Sequence, residues 1–513
     1  MIEIMKVFIY VLLVFHSIQV FSQPADVYKS NWEKEIPRIV YPEKDFVDLY
    51  EATWRIAAER VRRGPDGLPS SPYLDENCYE DQIWIWDSCF MVLFSRYACN
   101  AFPGLQTLDN FYVPIHDNVA TPLRIHLRDN PPLFSWAEYY NYLFSADKKR
   151  LRYILEDKKY LQKHFEYFNT VKRGTYQKDV SPMPIFLDQI KDNNGKIIGY
   201  NWKIGGASGM DNTPRGRDSG GCKNIMWVDA ISQQALSALY IKELLELYGN
   251  KKEAKKWNRI YKELKKTVND IYWDDNDGFY YDVDINTKKF CRIKTPASFW
   301  PMLAGIPDKR QAERMVEYLK DEKYFGGEFP WPSLSRDDKD YNSKTGDYWR
   351  GGIWLPMVYM GTKALEKYGY YELADSLAKK VITQQVKTFF YVKPNTIWEC
   401  YNPSANEPST EHGRIARKDF CGWSALGPIS LFIENVIGFR EINAITNTVS
   451  WILKKENKTR GIKNLKFGKV VTDIVYDENS SEIVVETNNP FILKVNGKKF
   501  NIKTGKNVCK VNL

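Results

Sequence analysis

From about residue 44 to residue 440 the chain repeats one pattern: two apolar-striped helices joined by a short break, then a loop dense in Gly, Pro, Trp and Asp. Between Ile231 and Ile271, Leu236, Leu239, Leu244, Leu245, Trp257, Tyr261, Leu264, Val268 and Ile271 recur at three- and four-residue spacing, interrupted at Gly249. That spacing predicts a helix, a turn and a second helix. The pattern returns over Ala297–Leu319 and Gly352–Phe389. Each such hairpin has an apolar stripe that it cannot bury alone, so the hairpins must pack on one another. An open solenoid would show a fixed sequence period, and none is present. The expectation is a mainly α protein: a closed (α/α)6 toroid of helical hairpins over residues 23–445.

After about Thr446 the period changes from helical to alternating. Glu482–Thr487 and Phe491–Ile502 alternate apolar and polar residues around an Asn496–Gly497 pair, the signature of a hairpin with a tight turn. Residues 446–513 are therefore read as a small all-β, sandwich-like domain packed on the helical body. The chain opens with Lys6, an apolar run over 7–20 and Phe21-Ser22-Gln23, which reads as an export signal over residues 1–22. The run is shorter than the roughly 20 residues a spanning helix needs. The expectation is an exported protein, periplasmic in a Gram-negative bacterium, with no membrane insertion once the signal is removed.

The net charge of +9, from 73 basic and 64 acidic residues, is spread along helix faces in runs such as 251–256, with Glu interspersed. Nucleic-acid binding needs clustered charge, so it is not expected. The eight Cys have neither zinc nor disulfide-framework spacing, although Cys78 could pair with Cys89 or Cys99. The acidic turn over 273–280 lacks the Gly and closing Glu positions of a calcium loop. No cofactor is expected, and a structural calcium has no motif behind it. Aromatic residues make up 15% of the chain, with 16 Trp and 33 Tyr, more than a core of this size calls for. The excess suits either core packing or a cleft where rings stack on sugar faces.

Four loop segments carry chemistry. Trp84–Phe90 places Trp86 and Asp87 at a helix start, where Asp also suits a simple cap. Gly205–Arg215 presents Asp211 and Asn212 from a Gly-rich bend, where a lone Asp also suits turn formation. Asp347–Trp354 sets Arg350 among Gly and Trp, and the segment from Trp398 to Ala425 holds Glu399, Tyr401 and Trp423. Taken together and in this order, the Ser-Gly-Met-Asp-Asn, Tyr-Trp-Arg-Gly-x-Ile-Trp and Glu-x-Tyr-Asn-Pro runs and the later Gly-Trp-Ser-Ala resemble glycoside hydrolase family 63 and related (α/α)6-barrel glycosidases. The resemblance covers roughly residues 44–440. It implies that Asp211 is the general acid and Glu399 the general base of an inverting hydrolase; exo action is expected because the long loops should close one end of the site. It further implies that Trp86, Asp87, Asn212, Trp349, Arg350, Tyr401 and Trp423 line a sugar pocket, with Phe134 and Trp136 of a looser match. The chain departs from the bacterial α-glucosidase pattern by lacking a large β-domain before the barrel and by the segment from Pro403 to Phe420, including Glu411 and His412.

The physical requirement agrees: one carboxylic acid must protonate the leaving oxygen and one carboxylate must activate water. Asp211 should then have a raised pKa, Arg215 should face away from it, and Glu399 should be ionised and wet. The implied substrate is an oligosaccharide or glycoside with an α-glucosidic bond, with α-mannosidic and trehalose-type bonds as alternatives. A polysaccharide lyase or epimerase would use His or Tyr to take a proton from carbon. The five His lie outside the strongest motifs, His116, His126 and His164 among them, and a surface or structural role is expected for each. A non-catalytic carbohydrate-binding protein is the remaining alternative.

Overall fold

In a computed structural model the described residues are 26–27, 30–76, 78–79 and 81–511; the expected export segment over 1–22 falls outside them. The body is mostly helical. Helix α1 (Lys44–Ala58) is followed by α2 (Ile85–Ser95), α3 (Phe134–Ser145), α4 (Tyr160–Thr170), α5 (Val228–Tyr248) and α6 (Lys251–Tyr272). Then come α7 (Lys309–Lys320), α8 (Leu355–Lys367), α9 (Tyr371–Tyr391) and a wide, π-wound α10 (Gly427–Ile437). The break at Gly249 is where the spacing placed it. Gly249 takes φ +100° as the C-terminal cap of α5, and Asn250 then caps α6 by accepting from the Glu253 amide at 3.2 Å.

Helices α2, α5, α8 and α10 are buried along nearly their whole length, whereas α6 and α7 bury one stripe each. The sequence separates the two kinds: α6 carries Lys and Glu on its open face, and α10 carries almost none. None of the described helices is long and apolar enough to cross a membrane.

The C-terminal region forms two sheets. One has four strands, β2 (Phe439–Asn443), β3 (Thr448–Trp451), β7 (Phe491–Val495) and β8 (Lys498–Ile502). The other has five: β1 (Arg38–Val40), β4 (Arg460–Phe467), β5 (Val470–Asp477), β6 (Glu482–Thr487) and β9 (Gly505–Lys510). The Asn496–Gly497 turn, both residues at positive φ, joins β7 to β8.

Two features differ from the sequence pattern. Strand pairing begins at Phe439, and the edge strand β1 comes from before α1, too short to show any period of its own. The region is fastened to the body by Ala444 N–H to the Leu143 carbonyl at 2.7 Å and by the Trp451 indole to the Ile437 carbonyl at 2.9 Å. All eight Cys are free thiols, including Cys78, Cys89 and Cys99. The carboxylates of the acidic turn are held by arginines: Arg292 grips Asp274 and Asp277, and Arg310 reaches Asp275 at 2.9 Å.

Candidate active site

Several helices begin beside one cavity of about 220 Å³. Trp86 and Asp87 enter it from the first turn of α2, Trp423 from just before α10, and Asn130 from the loop leading into α3. Helix starts carry partial positive charge, a favourable setting for carboxylates. Asp87 does not cap α2: Trp84 occupies that position, and Asp87 turns into the cavity. Burial raises its pKa well above the ordinary range, and Glu399 and Asp211 add to this.

Asp211 reaches the cavity because the chain around it is stripped of side chains. A Cβ on Gly205 would fall 2.2 Å from the Asp211 carbonyl oxygen, and one on Gly209 would meet the Trp86 ring at 3.2 Å. Solvent reaches Asp211, yet protein surrounds its carboxyl on most sides, and no cation lies in ion-pair range among the described residues. Burial, followed by the nearby Glu411, pushes its pKa up to about 6. Arg215 faces elsewhere, clamped on Asp229 at 2.7 Å and Asp282 at 2.6 Å.

Glu399 lines the same cavity in a different environment. Tyr348 donates to its Oε1 at 2.8 Å, and Arg417 Nη1 donates to Oε1 and Oε2 at 2.9 and 3.1 Å. Burial pushes its pKa up, and Arg417 and then Tyr348 pull against that. Contrary to expectation it is not wet, being only 2% exposed. The inserted segment folds back so that Arg417 lies across from Glu399, whose amide donates to the Arg417 carbonyl at 2.8 Å.

The other expected pocket residues divide. Trp86, Asp87 and Trp423 line the cavity. Phe134 does not: it packs on Tyr112 and His164, each ring centre 4.7 Å away. Trp136 lies beneath the floor, touching Trp300, on which Trp86 rests. One helix turn spreads successive side chains by about 100°, so a shared motif does not give a shared direction.

Trp349 is buried and stacked face to face on Trp354 at 4.0 Å. Arg350 does not line the cavity, because the tight turn of Tyr348–Arg350 aims successive side chains apart. Tyr401 turns back on its own segment, its hydroxyl accepting from the Trp398 amide at 3.1 Å and from Gln385 at 3.2 Å. Asn212 is a clamp. It donates to the Asp347 carbonyl at 2.9 Å and accepts from the Trp349 amide at 2.8 Å. Between those bonds Asp347 and Tyr348 hold positive φ, an unfavourable state for both residues. That strained turn delivers the Tyr348 hydroxyl to Glu399.

Sequence reasoning missed Tyr79, Trp84, His126, Tyr348, Glu411 and Arg417, all cavity-lining. Trp84 stacks on Tyr79 at 5.8 Å and lies 5.0 Å from His126. His126 is therefore part of the site, bonded through Nδ1 to Gln82 at 2.9 Å, with burial lowering its pKa to about 4. Arg417 had no signal in the sequence, lying in a polar segment with no recognisable spacing.

Residues 192–423 match the family model of the mannosylglycerate hydrolase MGH1-like glycoside hydrolase domain. An uncharacterized protein of Borreliella burgdorferi is 27% identical over 90% of this chain and 95% of its own length. The mannosyl-oligosaccharide glucosidase of Saccharomyces cerevisiae is 24% identical over 54% of this chain, which spans only 34% of that protein. Among solved structures, a sialidase matches with a TM-score of 0.69 at 15% identity, over 98% of this chain and 44% of its own. A family 63 mannosylglycerate hydrolase of Thermus thermophilus matches with a TM-score of 0.52 at 17% identity, over 74% of this chain and 99% of its own. Residues 192–423 are thus similar to an MGH1-like glycoside hydrolase domain, and this similarity marks the protein as a glycoside hydrolase enzyme.

Proposed function

We propose that this glycoside hydrolase cleaves an α-glycosidic bond, α-glucosidic in the first instance, with inversion and from the chain end, Asp211 serving as general acid and Glu399 as general base. The observation that carries the reading is the unequal treatment of two carboxyls in one cavity. Asp211, with no cation in ion-pair range among the described residues, has its pKa raised to about 6 and keeps its proton up to about that pH. Glu399, gripped by Arg417 and Tyr348, is favoured in its charged form by two donors. Asp211 protonates the glycosidic oxygen as the bond to the anomeric carbon breaks. Glu399 takes a proton from the water that attacks that carbon from the opposite face.

Trp86 and Trp423 supply ring faces for a sugar, and Asp87 supplies a hydroxyl partner whose loss of a bond would penalise the wrong epimer. A cavity of about 220 Å³ lies below the ~300–1,000 Å³ of pockets for drug-sized ligands, which favours one terminal ring. The match to a mannosyl-oligosaccharide glucosidase supports the α-glucoside. We read the helices whose starts meet at the cavity as the inner ring of an (α/α)6 toroid, in keeping with the fold likeness to mannosylglycerate hydrolase.

The test is a proton NMR time course with α-linked gluco-, manno- and galacto-disaccharides and trehalose, run beside Asp211→Asn and Glu399→Gln. A β-anomer released first, and abolished in both variants, is the expected result. An α-anomer first, or turnover surviving in either variant, sinks the mechanism. Export to the periplasm is the reading of residues 1–22. N-terminal sequencing of protein from a periplasmic fraction should begin near Gln23, and an intact Met1 there would overturn it.

A further inference from the structure

The helices that open beside the catalytic cavity close on a second, larger one. It has a volume of about 1290 Å³ and lies between the far ends of the helical body and the C-terminal sheets. From the body it is walled by Tyr139 and Tyr140 of α3, Tyr240 of α5 and Lys367 of α8, and from the sheet side by Ser450 and Ile452. Lys367 is twelve residues along α8 from the Trp354 end, which at 1.5 Å per residue is roughly 18 Å. The two cavities are therefore separate sites on one scaffold.

Three features define its chemistry. Tyr139 lies 4.6 Å from Tyr240 and 5.5 Å from Tyr140, and Tyr371, half exposed at 50%, stands at the start of α9 under the Arg440 guanidinium. These rings present both apolar faces and hydroxyl edges. The second feature is that the central charges are spent on one another, while Glu372 and Glu441 add negative charge at the wall. Lys363 pairs with Glu434 at 2.7 Å and Glu366 at 2.9 Å, and Arg440 pairs with Glu366 at 2.6 Å and with Asp375. The third is Lys367, whose ammonium donates to the Leu303 carbonyl at 3.0 Å and has no carboxylate in ion-pair range among the described residues. Although the residue as a whole is exposed, the protein packed around its ammonium lowers its pKa to about 8.

An anion would face Glu243, Glu366, Glu372 and Glu441 against three cations, and among the described residues no group of three or more His, Cys, Asp or Glu side chains is placed to hold a metal. A purely apolar ligand would strip water from the paired charges without replacing it. A sugar ring meets all three conditions, having an apolar C–H face, a rim of hydroxyls that both donate and accept, and no charge.

We propose that this cavity is a second, non-catalytic site that binds a neutral oligosaccharide, with rings stacked on Tyr139 and Tyr371 and hydroxyls bonded by Lys367. Anchoring one part of a glycan here raises its effective concentration near the catalytic cavity.

The test is calorimetric titration of the full chain carrying Asp211→Asn, which removes turnover, with maltohexaose, mannohexaose and, as an anionic control, hexagalacturonate. Either neutral hexasaccharide should bind, and the additional pair Tyr139→Ala and Tyr371→Ala should weaken it at least tenfold. Adding Trp86→Ala instead should leave that binding unchanged. Tyr371→Ala alone, at a half-exposed position that folding does not depend on, should weaken it about threefold. Release of the terminal sugar from a disaccharide by the otherwise unaltered enzyme should not respond to either Tyr change. The proposal is overturned if neither neutral hexasaccharide binds, if hexagalacturonate binds more tightly, or if binding follows Trp86 and ignores the tyrosines. Because the readout is binding in a chain without turnover, it stands or falls separately from the assignment of Asp211 and Glu399.

Discussion

Arg215 and Arg417 each grip carboxylates near Asp211, and their surroundings differ at every level. Arg215 is 1% exposed, forks onto Asp229 and Asp282 with four hydrogen bonds of 2.6–2.8 Å, and covers the Trp227 ring at 4.3 Å. Its partners stand on α5 and on a short strand at Asp282–Asp284, so the cluster ties the Asp211 loop to the helical body. Arg417 comes from the inserted segment, has a side chain about a third exposed, and pairs with Glu399, which also accepts from Tyr348. Complete satisfaction out of water builds architecture. A partly open pair on an irregular segment opposes the burial that raises the Glu399 pKa, while leaving that carboxyl beside a cavity.

The sharpest way to break this comparison is Arg215→Met. It strands two buried carboxylates, and such losses cost about 3–5 kcal/mol. Denaturant unfolding should show a drop of that order, and a variant within about 1 kcal/mol of the parent would make Arg215 dispensable to the fold. Arg417→Met should act the other way round. Its thermal midpoint should fall less than that of Arg215→Met, since Glu399 keeps the Tyr348 bond and can take up a proton once its pKa rises. Turnover near pH 6 should fall roughly tenfold or more. With Arg417 gone, burial of Glu399 is less opposed, its pKa rises, and the acid limb of the pH–rate profile moves to higher pH. An unmoved acid limb would remove Arg417 from the mechanism. The smallest effect is expected for Glu411→Gln. Glu411 helps hold the Asp211 pKa at about 6, so its loss lowers that value and moves the basic limb to lower pH. A limb that stays in place or moves upward would show that Glu411 does not act on Asp211.

Much of the fold was readable before any coordinates. Gly249 between two striped runs could only be a break between helices, and Asn496–Gly497 between alternating runs could only be a tight hairpin turn. Asp211 and Glu399 were readable because each stands in a motif of several residues. The neighbours in those motifs were less informative. Asn212, Tyr401 and Trp349 proved to hold the walls together, Phe134 and Trp136 to pack the core, and Arg350 to point elsewhere. Motif membership marks a segment that must keep its shape, and most residues in it serve that shape.

The sequence by itself determined the helical hairpins, the change to strands near the end, the Gly-rich bend around Asp211 and the presence of two suitable carboxyls. These are local: they follow from the period of apolar residues, from backbone freedom at glycine and from short-range spacing. Only the tertiary structure decided that no cation among the described residues lies in ion-pair range of Asp211, that Glu399 is gripped by Arg417 across the inserted segment, and that Tyr79, Trp84 and His126 share their cavity. It alone also placed six tyrosines from scattered parts of the chain around one cavity at the far end of the helices. The charge state of a carboxyl depends on what lies within a few ångströms in space, and here those neighbours come from segments hundreds of residues apart.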